Sequence, residues 1–199
     1  MRFPLHPRRL PNTAASVLGA GLLAISAVAA NAQSIPAPTV PSAIQAPPGE
    51  RVVFVAHATG SQIYSCQATI DGNFSWTLKA PDAELKDDKG KVIGAHFAGP
   101  SWKLTDGSKI TGKAVAHVES PDPDSIPWLL VHVIGGSGNG LLLKVTTIQR
   151  VNTNHGQPPA AGCDAGHVTT ESKSPYTADY YFYSSQAAAI HPQTRKRPQ

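Results

Sequence analysis

Residues 109–119 read K-I-T-G-K-A-V-A-H-V-E, and the fold class follows from this pattern. The apolar positions of this stretch share one face of a strand, and most of the remaining positions are charged or polar. The apolar set is Ile110, Ala114, Ala116 and Val118. Because successive side chains of a β-strand point to opposite faces, the alternation predicts a strand that is buried on one side only.

Eight further segments are short apolar or alternating runs that end at turn residues. They cover residues 51–59, 62–68, 73–78, 91–97, 101–104, 128–134, 141–151 and 178–183. Turns come from 17 glycines and 18 prolines, including the hairpin dipeptides Asp71-Gly72 and Asp106-Gly107. No ten-residue stretch of this body keeps a helical period. We therefore predict an all-β, single-domain antiparallel sandwich or barrel of about nine strands.

Residues 1–32 have the features of a secretory signal peptide. Three arginines precede a charge-free stretch over residues 14–30, and Ala30-Asn31-Ala32 is a small-x-small cleavage pattern. The alternative is an uncleaved membrane anchor, but the apolar run is short of the ~20 residues that a span needs. We therefore expect an exported protein, periplasmic or extracellular, with no transmembrane segment after cleavage.

The mature chain divides into three parts. Residues 33–49 contain five prolines and no charge, which predicts a flexible leader. Residues 50–183 form the β domain. Residues 184–199 lose the apolar alternation and end in T-R-K-R-P-Q, which predicts a disordered basic tail.

The charge distribution excludes nucleic acid as a partner. The formal net charge of +4 arises from the two ends of the chain, because residues 1–32 carry three arginines and residues 195–197 are all basic. The β domain between them has no excess of Lys and Arg, whereas a nucleic-acid-binding domain needs a basic face. A carbohydrate or another small ligand remains a possible partner. The oligomeric state is not predicted.

Cys66 and Cys163 are the only two cysteines. In an exported protein, the oxidising compartment favours a disulfide between them. A metal ligand or a redox thiol is the alternative, but the sequence has neither a C-x-x-C motif nor a cysteine–histidine motif.

The sequence contains no recognisable catalytic motif. It lacks the G-x-S-x-G pattern of a nucleophilic serine, and no two histidines stand two or four residues apart as a local metal chelate would require. We therefore favour a non-catalytic protein and predict no cofactor and no metal site. A metal-assisted enzyme that uses His57 and His96, with a third ligand from a neighbouring strand, is the alternative.

Aromatic residues are concentrated in two places. Trp102 follows His96 in a segment rich in turn glycines, where ligand-binding loops are common. Residues 175–183 hold five aromatic side chains, and on a strand Tyr181 and Tyr183 would take the face opposite Tyr180 and Phe182. Outward tyrosines would offer a platform for sugars or aromatic ligands. Alternatively, these tyrosines cap the core through their hydroxyls.

Most of the β domain resembles one family. Residues 53–66, V-F-V-A-H-A-T-G-S-Q-I-Y-S-C, are followed in the same order by T-T-I-Q-R-V-N-T at 146–153, P-A-A-G-C-D at 159–164 and P-Y-T-A-D-Y-Y-F-Y at 175–183. These segments are similar to domain-of-unknown-function family 3455, a family of secreted bacterial and fungal proteins. The resemblance spans Pro48 to Tyr183 and implies that both cysteines belong to the family pattern.

The resemblance transfers no catalytic residue, because the family has no established activity. It does place several polar and aromatic residues within motif segments. Together with the aromatic clusters it defines the candidate binding residues, which are His57, Tyr64, His96, Trp102, Tyr176 and Tyr181. We expect a non-catalytic binding or envelope-associated module, with a purely structural or interaction protein as a further alternative.

Overall fold

The computed structural model describes residues 34–185, and within them eight antiparallel strands form one closed barrel. The strands are β1 (Glu50–Ala68), β2 (Phe74–Lys86), β3 (Val92–Phe97), β4 (Ser101–Leu104), β5 (Lys109–Val118), β6 (Trp128–Ser137), β7 (Thr147–His155) and β8 (Glu171–Ser185). Two short 3₁₀-helices lie at Ser42–Ile44 and Leu141–Lys144. The prediction of an all-β antiparallel domain is confirmed.

Each strand pairs with the next along the chain, and β8 pairs back with β1 to close the barrel. The two longest strands form the closing ladder, in which Ala56 lies opposite Tyr180 and Ala58 opposite Ala178. Closure leaves no strand without a neighbour on either side, which removes the exposed edges of an open sheet.

The strand count is eight because β1 runs straight through Gly60, where we had predicted a break. Gly60 pairs with Ala83 on β2 and with Tyr176 on β8. A Cβ at this position would overlap the carbonyl oxygen of Asp82 and the Ala83 backbone. The glycine therefore permits a close approach of two strands rather than a turn. The segment predicted as one strand over 141–151 instead divides into a 3₁₀-helix and β7.

Side chains of alternate residues fill the barrel. Ala56 and Ala58 of β1, Trp102 of β4, and Tyr180 and Phe182 of β8 all belong to the main buried cluster. The ring of Phe182 stacks on that of Phe54, with 4.1 Å between the ring centroids. Trp102 and Tyr180 of this cluster also line the cavity described below.

The leader packs against the outside of the barrel, so its described part, residues 34–49, differs from the flexible segment that we expected. Ile44 is fully buried and forms a second cluster with Leu130 of β6 and Val151 of β7. The Gln149 side chain donates a 2.6 Å hydrogen bond to the carbonyl oxygen of Ile44. Val40 packs on the same cluster, and Ile35 forms an isolated bridge with Val52 of β1. These scattered anchors leave no periodic pattern, which is why composition alone predicted a free segment.

The predicted disulfide between Cys66 and Cys163 is confirmed, with Cα atoms 5.3 Å apart. It joins the end of β1 to the connection between β7 and β8. Two backbone hydrogen bonds connect the same two segments. The Cys66 N–H donates to the carbonyl of Thr170, and the Thr169 N–H donates to the carbonyl of Cys66. The longest connection of the barrel is thereby attached to its first strand.

The predicted signal peptide over 1–32 and the tail from residue 186 onward lie outside the described residues. Within residues 34–185, no helix has the length and apolar character needed to cross a membrane.

Candidate functional site

A cavity of about 370 Å³ opens into the barrel interior. Its apolar wall includes Leu78, Pro81, Ala114, Leu129 and Val131. Its buried polar and aromatic lining comprises Gln62, His96, Trp102, Arg150 and Tyr180, and the exposed Lys79 also lines it. The cavity reaches the surface, because Leu78 and the turn residues Gly99 and Pro100 line it and are exposed.

The polar lining comes from five different strands, and the barrel register brings these residues together. Gln62 lies an even number of residues from Ala56 and Ala58 on β1, so its side chain faces the barrel interior as theirs do. His96 of β3 lies directly opposite Trp102 of β4. Residues that are far apart in sequence thus share one layer of the barrel interior.

The Trp102 ring depends on a glycine for its position. A Cβ at Gly112 would overlap a methyl group of Val131 and crowd the indole of Trp102. The absence of a side chain on β5 leaves the space that the ring occupies. His96 stacks on the other side of the ring, with 4.4 Å between the ring centroids.

His96 is a buried, neutral histidine. It is only 3% exposed, and burial lowers its pKa to about 4. Its Nδ1 lies 2.9 Å from the carbonyl oxygen of Ser101, which can only accept, so Nδ1 carries the proton and donates. The other ring nitrogen, Nε2, is then an acceptor. The histidine therefore orients the indole and supplies one acceptor to the interior.

Four buried polar atoms of the barrel interior have no hydrogen-bond partner among the described residues. They are Gln62 Nε2, Trp102 Nε1 and the hydroxyls of Tyr176 and Tyr180. Burial raises the pKa of both tyrosines, so their hydroxyls stay protonated at neutral pH and can donate. Each buried polar atom without a partner costs about 1–3 kcal/mol.

Arg150 places a positive charge in the same interior. Its side chain is 8% exposed, and both Nε and Nη2 donate to the carbonyl oxygen of Pro127, at 3.2 and 2.7 Å. No carboxylate of the described residues lies within 4.0 Å of its guanidinium. A buried cation without an anionic partner is rare, because desolvation disfavours its charge.

The structure brings only some of the predicted binding residues together. His96 and Trp102 line the cavity. Tyr64 and Tyr176 are buried in the barrel but lie outside the lining, and the hydroxyl of Tyr64 donates to the carbonyl of Gly156 at 2.8 Å. The remaining two candidates, His57 and Tyr181, lie on the outer side of the barrel wall.

His57 and His96 do not form the metal pair offered as an alternative. Ala56 and Ala58 face the interior, so His57 between them faces outward. There it contacts Asp88 and Asp179, whereas His96 is enclosed within the barrel. Among residues 34–185, no three His, Cys, Asp or Glu side chains are placed to hold a metal ion.

The tyrosines of β8 do not form the outward platform that we considered. Tyr183 is buried, and its hydroxyl donates to Oε1 of Gln149. Tyr181 packs against the second cluster, beneath the leader. Of the aromatic residues of β8, Tyr180 lines the interior cavity.

Sequence reasoning missed Gln62, Arg150 and Tyr180 as site residues. The clearest available signal was Arg150, a charged residue within the apolar β-rich run T-T-I-Q-R-V, where a solvated arginine is unexpected. For Gln62 the indication was weaker: it lies on the same side of β1 as the buried alanines. For Tyr180 the sequence left open which face of β8 is buried.

Fold and site together define a single-domain, closed antiparallel β-barrel with a cavity in its interior. The chain belongs to the family described as protein of unknown function (DUF3455), whose sequence profile matches residues 47–184. No curated protein matches the chain, and no solved structure matches it. The expected family membership is thus confirmed, and the family description assigns no function.

Proposed function

We propose that this protein binds a small ligand inside the barrel and does not transform it chemically. The cavity volume of about 370 Å³ falls at the lower end of the range typical of small-molecule sites. Its lining combines apolar walls with a few convergent polar groups, as such sites do. The ligand chemistry is that of a small organic molecule rather than a polymer.

The observation that carries this proposal is the set of buried donors without partners. Three of the four belong to residues that line the cavity, namely Gln62, Trp102 and Tyr180. A purely structural barrel would gain stability from apolar side chains at these positions. A ligand that accepts hydrogen bonds from them gives a physical reason for their presence.

We also propose that the protein acts in the exported setting expected from residues 1–32. The disulfide between Cys66 and Cys163 supports this, because such bonds persist in oxidising compartments. N-terminal sequencing of the exported protein tests it, with Gln33 as the expected first residue.

Filling the cavity tests the binding function. Ala114 lines the cavity and is exposed to it, so the ring of an Ala114→Phe variant would occupy open space. We expect wild type to bind at least one of four probes, benzyl alcohol, benzamide, benzoate and methyl glucoside, by isothermal titration calorimetry. Ala114→Phe should lose at least about tenfold in affinity for that probe.

Val115→Phe is the matched control, because Val115 is the next residue on β5 and its side chain is exposed to solvent. This variant should bind as wild type does. The proposal fails if no probe binds the folded wild-type protein, or if a bound probe is insensitive to Ala114→Phe.

A further inference from the structure

The hydrogen-bonding groups of the cavity are strongly biased toward donors. Three nitrogen groups of the lining can donate a hydrogen bond but cannot accept one. They are the Arg150 guanidinium, the Gln62 amide nitrogen and the Trp102 indole nitrogen. The Tyr180 hydroxyl is protonated, and the side chains of Tyr176 and Arg150 lie next to it without a hydrogen bond of good geometry. The side-chain acceptors of the lining are Gln62 Oε1 and His96 Nε2, and no Asp or Glu of residues 34–185 lines the cavity. A complementary ligand therefore carries acceptors at this end and brings few donors of its own.

Among these donors, Arg150 is the one that carries a positive charge, and its guanidinium has a fixed orientation. Two of its five N–H groups are held by the carbonyl of Pro127, so the guanidinium plane is anchored before any ligand arrives. The group is more than nine-tenths buried and has no carboxylate within salt-bridge distance in residues 34–185. A carboxylate is the small group that best neutralises and hydrogen-bonds such a guanidinium.

The other lining residues determine which kind of group the rest of the ligand carries. Leu78, Pro81, Leu129 and Val131 present aliphatic surface, and Trp102 and Tyr180 present aromatic rings. Sugar hydroxyls donate as often as they accept, so a neutral sugar would leave most of its own donors unmatched here. A cation would be repelled by Arg150, whereas Lys79, the other basic residue of the lining, is paired with Glu171. Apolar walls and a small volume favour a compact hydrophobic body.

We infer that the ligand is a small organic anion, a monocarboxylate with an aliphatic or aromatic body, whose carboxylate contacts the Arg150 guanidinium in the cavity that Gln62 and Trp102 also line. This inference rests on the proposed binding function and specifies its ligand class. It assigns Arg150 as the residue that determines specificity for charge.

Matched pairs of probes test the inference on the wild-type protein. Benzoate, cyclohexanecarboxylate and hexanoate are each compared by calorimetry with the corresponding neutral amide, and benzylammonium serves as the cation. We expect at least one carboxylate to bind at least about tenfold more tightly than its amide, and benzylammonium not to bind. This comparison needs no variant, so it does not depend on whether a substituted protein folds.

Substitution of Arg150 locates the charge recognition. Arg150→Met should reduce affinity for the carboxylate at least about tenfold and change affinity for the amide little, whereas Arg150→Lys should retain part of the preference. Arg51→Met is the control, because Arg51 is an exposed arginine of β1 and its loss should have no effect.

The two proposals fail in distinguishable ways. If neutral amides bind in a manner sensitive to Ala114→Phe but no carboxylate exceeds its amide, the anion inference is wrong and the binding function stands. If a carboxylate preference persists in folded Arg150→Met, the assignment of Arg150 is wrong. If no carboxylate or amide binds and benzyl alcohol and methyl glucoside do not bind either, both proposals are wrong.

Discussion

The buried tyrosine hydroxyls of the barrel fall into two groups. The hydroxyls of Tyr64 and Tyr183 each donate to a defined acceptor, the Gly156 carbonyl and the Gln149 side chain. Those of Tyr176 and Tyr180 lie close to each other but form no hydrogen bond of good geometry among the described residues. The first pair therefore stabilises the fold through hydrogen bonds, whereas the second pair carries polar atoms whose burial is not offset within the described chain.

Substitution of single hydroxyls should separate these groups. Tyr183→Phe should lower the free energy of unfolding by about 1 kcal/mol or more, because it removes a buried hydrogen bond and leaves Gln149 Oε1 without that donor. Tyr180→Phe, which deletes the same atom nearby on β8, should leave the free energy of unfolding unchanged or raise it. Urea denaturation of both variants measures the difference. Equal destabilisation would mean that the Tyr180 hydroxyl has a partner in the folded protein.

At the scale of secondary structure elements, a bulge in β5 shapes both sides of the barrel wall. The register with β6 shifts between Ala114 and Ala116, so Val115 is an extra residue. Ile110 and Ala114 face the interior, whereas Ala116 and Val118 pack against the outer cluster beneath Ile44. Our assignment of all four apolar residues to one face was wrong for this reason. The same bulge exposes Ala114 to the cavity and provides an outer surface for the leader.

A second link between elements depends on pH. On the outer side of β1, His57 Nδ1 donates to Asp179 of β8 at 2.6 Å, and Nε2 donates to Asp88, after β2, at 3.0 Å. Both nitrogens can donate only when the imidazole is protonated. The hydrogen bonds with Asp88 and Asp179 raise the pKa of His57, against a smaller effect of burial that lowers it.

The sign of the pH effect follows from this raised pKa. Stabilisation by His57 should be complete below about pH 6.5, the pKa of an unfolded histidine, and should be lost as pH rises through the higher pKa of the folded state. His57→Gln should therefore lower the urea midpoint relative to wild type at about pH 5.5 and lower it less at about pH 9. The effect will be small, since the His57 side chain is 43% exposed and the pair is screened by solvent.

His117→Gln serves as the control for this measurement, because His117 is an exposed histidine of β5. Its substitution should shift the midpoint equally at both pH values. A His57→Gln effect that is the same at both pH values would contradict the assignment of a protonated bridge.

At the scale of the whole molecule, closure depends on contacts between distant parts of the chain. The ladder between β1 and β8 joins residues from the two ends of the described domain. The disulfide closes a loop of 97 residues onto the same strand. Both constraints act on β1, which pairs with β2 and β8 along most of its length.

Reduction should therefore destabilise the entire barrel. The chain-entropy model gives about 4–5 kcal/mol for a loop of 97 residues, so urea denaturation with dithiothreitol should show a correspondingly lower free energy of unfolding. A double variant, Cys66→Ser with Cys163→Ser, should show a similar loss and no response to dithiothreitol. An unchanged unfolding midpoint after complete reduction would contradict this role for the disulfide.

Local patterns explain why the fold class was predictable. The alternation over 109–119 and the hairpin dipeptides are properties of neighbouring residues. They predict strands and turns without knowledge of the tertiary structure. Gly60 shows where such reasoning stops, because a glycine that ends a strand and a glycine that lets two strands approach look identical in sequence. The strand count was missed for that reason.

The cavity was only partly predictable. His96 and Trp102 were identified from composition and spacing, and both line it. Tyr64 and Tyr176 are buried beside it, and His57 and Tyr181 lie outside the barrel wall. Which side of a strand faces the interior depends on bulges and on closure, and neither has a short-range signature.

Taken by itself, the sequence determined that this protein is a β domain of a recognisable family with one disulfide, because alternation, turns and cysteine number are encoded locally. Only the tertiary structure decided that Arg150, Gln62 and Trp102 meet in one cavity and that no carboxylate accompanies them. These residues come from strands β7, β1 and β4, and their proximity arises when the sheet closes on itself. A missing partner is a property of the assembled interior, so no segment of the sequence can reveal it.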